Sequence, residues 1–384
     1  MSSQVVAVPA GLVAVPAGLK GVAVADTAIG DVRGGEGFYH YRQYDATELA
    51  RHRSFEHVWA LVLDGALPEP GDDRFAAAAA ALRAVEPATL DALAAVAMAL
   101  GPLDALRTGL ALVASADGFG PSLDTDPDTR RRQALRLVAV TPTILAAHHR
   151  LRRGLAPIPP DPGRGHTADY LHQLGLEPDP RAVRALETYL VSTMDHGFNA
   201  STFTARVITS TGAGLASALV GAIGAMSGPL HGGAPARAVA MIDEIGDEAS
   251  VPSWLAPRLA RGERIMGFGH AVYRGPDPRS TLLRQVAREL GGERVARAVA
   301  IEARILEVLA AARPGRTLGT NFEYYAGVVM ERVGLPPELF TATFTVARTV
   351  GWTAHALEQA AERRLIRPGA HYVGAPPAVP VPGI

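Results

Sequence analysis

Cysteine is absent from the 384 residues, which removes disulfides, thiolate nucleophiles and cysteine-held metal sites at once. Lysine is almost absent too: of the 37 basic residues only Lys20 is not arginine. Schiff-base chemistry therefore has no well-placed amine to use. Arginine does not titrate usefully, but its planar fork suits carboxylates and phosphates, so an arginine-rich chain of enzyme size points toward anionic small molecules. There is no excess of one charge sign. The formal net charge is −1, and the short runs Arg130-Arg131-Arg132 and Arg152-Arg153 read as solvated helix faces. Neither nucleic acid nor an anionic membrane is advertised as a partner. The N-terminus carries no early positive charge and contains Pro9 and Pro16, unlike a secretion signal, so the expected compartment is the cytoplasm. One charge-free run, Val207 to Leu230, is long enough to span a bilayer. It is dense in Gly, Ser, Thr and Ala and runs into Pro229 and His231, which suits a tightly packed buried helix instead.

Strand patterns are scarce as well, and after residue 45 no alternating run appears. The length allows a large core in one big domain or two lobes. Residues 6–19 repeat Val-Ala-Val-Pro-Ala-Gly-Leu twice, too short for a repeat fold, and read as an extended or disordered arm. Apolar segments at Gly21–Ala25 and Phe38–Arg42, separated by the glycine-rich stretch 30–37, predict a small hairpin. Asp45 with Glu48 makes a capping-box-like start for a helix through Leu63, stopped at Gly65 and Pro68. Alanine-rich segments at 73–85, 89–100 and 129–152 carry apolar residues at helical spacing. After the proline-rich connection 157–165, helices are expected at about 167–175, 179–194, 203–226, 235–246, 253–262, 278–290, 293–312, 321–333 and 337–363. The class is all-α with a short N-terminal β-hairpin, and the tail from Gly374 should be extended.

The chemistry gathers between Gly228 and Arg279. His231 sits in Gly-Pro-Leu-His-Gly-Gly-Ala-Pro and His270 in Met-Gly-Phe-Gly-His-Ala-Val-Tyr-Arg, before Asp277-Pro278-Arg279. Glycine beside a functional group lets backbone approach a ligand closely. His231 should lie just ahead of a helix beginning near Ala234, whose dipole would keep the imidazole neutral and able to donate to a carbonyl. Either histidine alone would pass for a structural one; the pair in matching settings does not. His196 lies beside Gly197, and Glu323 falls in the first turn of an otherwise aromatic and apolar helix. Arg348 is embedded in apolar neighbours, which is costly unless an anion meets it. Arg367 opens the tail.

The segments DHGFNASTFTARV, GPLHGGAPARAV, MGFGHAVYRGPDPR, NFEYYAGVVMERVGLP, FTVARTVGW and IRPGAHYVG resemble, in order, the motifs of the citrate synthase family, and YRQYDATELA near the N-terminus fits as well. The resemblance covers most of the chain. It implies a homodimer of two-domain helical subunits, with residues 1–225 and 336–384 in a large dimer-forming domain and 226–335 in a smaller, mobile, CoA-binding one. It implies condensation of acetyl-CoA with oxaloacetate and hydrolysis of citryl-CoA, with no tightly bound cofactor and CoA as co-substrate. His231, His270 and Glu323 match the catalytic groups. His196, Arg279, Arg348 and Arg367 match the groups that hold oxaloacetate, Arg367 reaching the partner subunit's site. Met266, Gly267, Phe268, Gly269 and Asn321 fall where the family binds CoA.

Two departures stand out. The family's carboxylate is most often aspartate, whereas Glu323 is one methylene longer, as in a subgroup of shorter bacterial citrate synthases that this chain resembles. Gln43 stands where glycine is common, which touches only local geometry. Three other readings compete: a 2-methylcitrate synthase using propionyl-CoA, a catalytically quiet CoA- or oxaloacetate-binding paralogue, and a metal site made of His231, His270 and Glu323.

Overall fold

The computed structural model describes residues 12–177, 179–229, 231, 234–270, 272–273, 275–312, 319–374 and 382. A three-stranded antiparallel sheet opens the fold, β1 (Gly30–Arg33), β2 (Phe38–Tyr41) and β3 (Tyr44–Asp45), with Gly30 opposite Tyr41 and Arg33 opposite Phe38. The expected hairpin exists, but its first strand is 30–33 rather than 21–25. A four-residue turn closes this pair, whereas pairing 21–25 with 38–42 would require a much longer loop and more closure entropy. Gln43 follows Arg42, at φ +50°, in the turn between β2 and β3.

Asp45 caps α1 (Ala46–His52) by accepting from the Thr47 and Glu48 amides, a contact worth about 1 kcal/mol. The helix expected to run on to Leu63 is broken: Arg53 is extended, and Ser54 caps a second helix, α2 (Phe55–Asp64), which stops at Gly65 in the left-handed region. Then come α3 (Arg74–Ala80), α4 (Pro87–Val96), α5 (Pro102–Ala116), α6 (Pro127–Leu151), α7 (His166–Gln173) and α8 (Pro180–Ser192). No expected helix corresponds to α5. The charge-free stretch is not one helix but two, α9 (Ala200–Ser210) and α10 (Leu215–Met226), because the chain reverses through Gly212 at φ +82°. Among the described residues no helix is long and apolar enough to cross a membrane.

The rest of the chain forms α11 (Ala234–Ile245), α12 (Val251–Ala260), α13 (Pro278–Leu290), α14 (Glu293–Ala312), α15 (Phe322–Arg332) and α16 (Phe340–Glu362), each within a few residues of its expected bounds. The arm at 6–11 and most of the tail beyond Gly374 lie outside the described residues. α16 is the central helix, packed against α2, α5, α6, α8, α9, α10 and α11. Three of its buried threonines give their hydroxyl protons to their own helix, Thr345 to the Thr341 carbonyl, Thr349 to Val346 and Thr353 to Thr349, and Thr343 shares a hydrogen bond with the Tyr170 hydroxyl (2.8 Å). Polar side chains thus enter the core with their hydrogen bonds made. One polar group on this helix, Arg348, is different.

Candidate active site

Arg348 is buried at 2% exposure on the central helix. Its Nε donates to the Thr193 carbonyl at the end of α8 (2.9 Å), its guanidinium carbon lies 4.8 Å from the Phe344 ring centre, and among the described residues it has no carboxylate in ion-pair contact. Burial pulls its basicity below the ordinary value. The helix also fixes the neighbouring loop, since the Gly351 amide donates to the Met194 carbonyl (3.1 Å). A methyl group at Gly351 would overlap that carbonyl oxygen and stand 2.9 Å from Asp195 Oδ1. Gly351→Ala is therefore expected to lower stability by about 1–3 kcal/mol, read as a lower melting temperature; an unchanged melt would mean that this contact yields freely.

Asp195 and His196 follow that contact. Burial alone would raise the Asp195 carboxyl, but His355, at 3.3 Å, and Arg348 hold it below the ordinary carboxylate range. His196 is fixed by a hydrogen bond between Nε2 and the Tyr273 hydroxyl (2.9 Å), and burial, with Arg279 and Arg348 nearby, drives it strongly toward the neutral form.

His270 sits at the end of the glycine loop. Its Nδ1 accepts from the Val272 and Tyr273 amides (2.9 and 3.1 Å), so the proton of the neutral ring is on Nε2. Burial, then Arg279, lowers its pKa, against a smaller opposing effect of Asp277. Asp277 is the organiser here: it caps α13, pairs with Arg279 through both oxygens (2.9 and 3.1 Å) and accepts from the Phe322 amide at the start of α15 (3.2 Å). α15 is in turn stitched to the loop. Asn321 N donates to Gly267 O (2.8 Å), Asn321 Nδ2 to Gly269 O (2.9 Å), and Phe268 bridges Thr320. Asn321 Oδ1 accepts from the Glu323 amide (3.0 Å). The Asn321 side chain thus holds the loop with one end and caps the helix that carries Glu323 with the other. From behind, buried Glu302 accepts from Thr320 Oγ1 (2.6 Å) and Tyr325 OH (2.5 Å), fixing residues on either side of Glu323.

His231 stands three residues ahead of α11, as expected, and its pKa is pulled down to about 4. The cause differs from the one the sequence suggested: burial comes first and the Arg348 charge second. Its Nε2 lies 2.8 Å from Ser201 Oγ, which accepts from Trp352 Nε1 (3.1 Å) and donates to Asn199 Oδ1 (2.7 Å). With its one proton given to Asn199, Ser201 accepts from His231 Nε2. Turning that hydroxyl proton to Nε2 moves the imidazole proton to Nδ1.

These threads meet in one cavity of about 320 Å³, lined by His196, His231, His270, Arg279, Glu323 and Arg348, with Gly269 and Asn321 at its edge. Burial raises the Glu323 carboxyl above the ordinary range, opposed by Arg279 and assisted by Asp277. Met266, Gly267 and Phe268 belong to the loop but do not line this cavity, and Arg367 is exposed and away from it. Among the described residues no three His, Asp or Glu side chains are grouped as a metal site would need, so His231, His270 and Glu323 share a pocket without forming a coordination cluster. Tyr273, Ser201 and Asp277 were not among the residues expected from sequence. Asp277 alone left a signal, as an N-cap residue followed by proline.

Neutral imidazoles, a carboxylate of raised pKa and a buried guanidinium that has no carboxylate in ion-pair contact among the described residues define, on a helical scaffold, an enzyme-like site for a small anion. The family model described as citrate synthase, C-terminal domain, matches residues 18–369. The chain is 41% identical over 367 residues to a Mycobacterium tuberculosis protein provisionally named citrate synthase 2, covering 94% of this chain and 93% of that one. It is 39% identical over 357 residues to a 2-methylcitrate synthase of the same organism, covering 92% and 89%. A structure of the citrate synthase of Thermoplasma acidophilum in ternary complex with carboxymethyl coenzyme A and oxaloacetate superposes with a TM-score of 0.85 at 27% identity, over 94% of this chain and 97% of that one. The chain belongs to the citrate synthase family of acyltransferases.

Proposed function

We propose that this protein condenses acetyl-CoA with oxaloacetate to citryl-CoA and hydrolyses it to citrate and CoA. The observation that carries the reading is the shared cavity: Arg348 without a carboxylate in ion-pair contact among the described residues, His231 and His270 with lowered pKa, and Glu323 with a raised one. The acetyl methyl is a very weak acid, so a carboxylate can take its proton only if the enolate oxygen is stabilised as it forms. Glu323 removes that proton while His231, its own proton moved to Nδ1 as the Ser201 hydroxyl turns from Asn199 to Nε2, donates to the thioester oxygen. The enol carbon then bonds to the oxaloacetate ketone carbon as the enol oxygen returns its proton to His231 and the ketone oxygen takes the proton of His270 Nε2; Glu323 releases its proton to solvent and His270 takes one back. Water cleaves the thioester and releases the CoA thiol. Arg279, Arg348 and His196 hold the two carboxylates, a positioning contribution of about 7 to 11 kcal/mol at most. The extra methylene of Glu323 is compensated by the set of α15, which Asp277, Asn321 and Glu302 fix at three points.

Several finer assignments go with this reading. Residues 226–335 form the mobile domain that closes on residues 1–225 and 336–384, and the glycine loop at Met266–Gly269 receives CoA. The protein works as a cytoplasmic homodimer in which Arg367, exposed beyond α16, completes the partner's cavity.

The pH profile follows from the two shifts. Glu323 must be anionic and its pKa is raised, so activity falls with acid through a midpoint above the ordinary glutamate value of about 4.3. His231 protonates only near 4, so a second proton should steepen the fall there. An acid limb with its midpoint at or below about 4.3 would contradict this. Propionyl-CoA is the second reading, supported by the 39% identity to a 2-methylcitrate synthase. One methylene in an apolar pocket changes discrimination by only about 1–3 kcal/mol. Thiol release with oxaloacetate and each acyl-CoA decides: a higher kcat/KM for acetyl-CoA is expected, the reverse order would favour propionyl-CoA, and no release with either would leave a binding protein.

A further inference from the structure

A second cavity, of about 470 Å³, lies apart from the catalytic one, between α1, α8 and α13. Its lining includes apolar Ala185 of α8 and Leu282 and Val286 of α13, with Thr188 of α8 beside them. Its rim is basic, with Arg51, Arg181 and Arg184 against the single lining carboxylate of Glu289. Arg184 is also paired with Glu187 (2.6 Å) and Arg51 lies near Glu48 (3.5 Å). Arg181 has no carboxylate in ion-pair contact among the described residues; it donates to the Glu289 carbonyl (2.8 Å). An apolar floor under a cationic rim, in a volume within the usual range for small-molecule sites, suits an organic anion with a flat or branched apolar body.

The position of this cavity matters as much as its lining. α8 ends at Ser192, and its continuation carries Thr193, which holds Arg348, and His196. α13 begins at Asp277 and Arg279. The cavity lies along the same two helices toward their far ends, 180–188 and 282–290, where two braces cross it: Arg51 Nη1 to Gln285 Oε1 (2.6 Å) and Arg181 to Glu289. Helices move as rigid rods, so a molecule wedged between their far ends changes the angle at their near ends, where the groups that would hold oxaloacetate sit.

We propose that this cavity is a regulatory site for an amphipathic organic anion, coupled through α8 and α13 to the catalytic cavity. The amphipathic anion 8-anilinonaphthalene-1-sulfonate serves as probe on the full chain. Expected are saturable fluorescence with one site per chain, no displacement by CoA, and about tenfold weaker binding in Arg181→Ser and in Val286→Phe, which respectively remove a rim cation and fill the floor. Arg181→Ser keeps kcat within about twofold in the absence of probe, since residue 181 does not line the catalytic cavity; Val286→Phe fills the floor as a ligand would and is read by probe binding alone. Saturating oxaloacetate should change the probe's Kd, and the probe should change that of oxaloacetate by the same factor. Displacement by CoA, or wild-type affinity in both variants, overturns the site; an unchanged probe Kd with oxaloacetate demonstrably bound overturns the coupling. Arg181 is exposed, so its variant tests the site even if Val286→Phe fails to fold. The fluorescence titration is independent of turnover, and only the oxaloacetate arm rests on the function proposed above.

Discussion

Glu323→Gln lowers the steady-state rate of thiol release by at least about 100-fold, the usual contribution of a positioned general base. The substitution keeps the shape of the side chain and the cap of α15, because Asn321 Oδ1 accepts from the backbone amide of residue 323 and not from its carboxylate. Folding and oxaloacetate binding should therefore be unchanged, and the loss should fall on kcat. Glu323→Asp is informative in the other direction. If α15 is set to suit the longer acid, shortening it by one methylene moves the carboxylate by about 1 Å, which costs on the order of 100-fold. Wild-type rates in Glu323→Gln would remove the carboxylate from the mechanism.

Arg348→Met separates affinity from stability. Its guanidinium is buried with no carboxylate in ion-pair contact among the described residues, so in the empty enzyme it is a desolvated charge compensated by the Thr193 carbonyl, the Phe344 ring and the more distant Asp195. With a dicarboxylate bound, the same charge is paired. Removing one partner of a desolvated charged pair costs about 2–5 kcal/mol, or at least about 30-fold in oxaloacetate affinity. The empty protein should be no less stable, and replacing an unpaired buried charge with an apolar side chain of similar length can raise its melting temperature. Calorimetric titration with oxaloacetate, together with thermal melts with and without it, reads both. A large drop in the melting temperature of the empty variant, with oxaloacetate affinity retained, would make Arg348 a structural residue.

Much of the site is legible in the amino-acid sequence alone. Histidine beside glycine, a carboxylate in the first turn of an apolar helix and an arginine among apolar neighbours each break a local rule, and sequences break such rules where function compensates. Asp45 and Asp277 are readable because a cap acts on amides two or three residues away. What escapes a linear reading is set by tertiary partners. The break at Arg53 is signalled only by Ser54, which could equally sit within a helix. The reversal at Gly212 is hidden by the apolar run around it, and β1 is fixed by the closure of a short turn rather than by the hydrophobicity of its residues. The neutrality of His231 follows from a cause other than the helix dipole, since the Arg348 charge that helps to lower its pKa comes from a helix more than a hundred residues later. The hydroxyls of Ser201 and Tyr273 and the cavity between α1, α8 and α13 have no sequence signature, because each depends on segments brought together only by folding.

The central claim, that Glu323 and His231 together make an enol of the bound thioester, is tested most directly by hydrogen exchange at its methyl group. Acetyl-CoA is incubated in deuterium oxide with the enzyme and malate, a dicarboxylate that cannot accept the new carbon bond, and the methyl signal is followed by proton NMR. Loss of that signal with the wild type, slowed at least about 100-fold in Glu323→Gln and similarly in His231→Ala, is the predicted result. Exchange that persists at the wild-type rate after either substitution would contradict it.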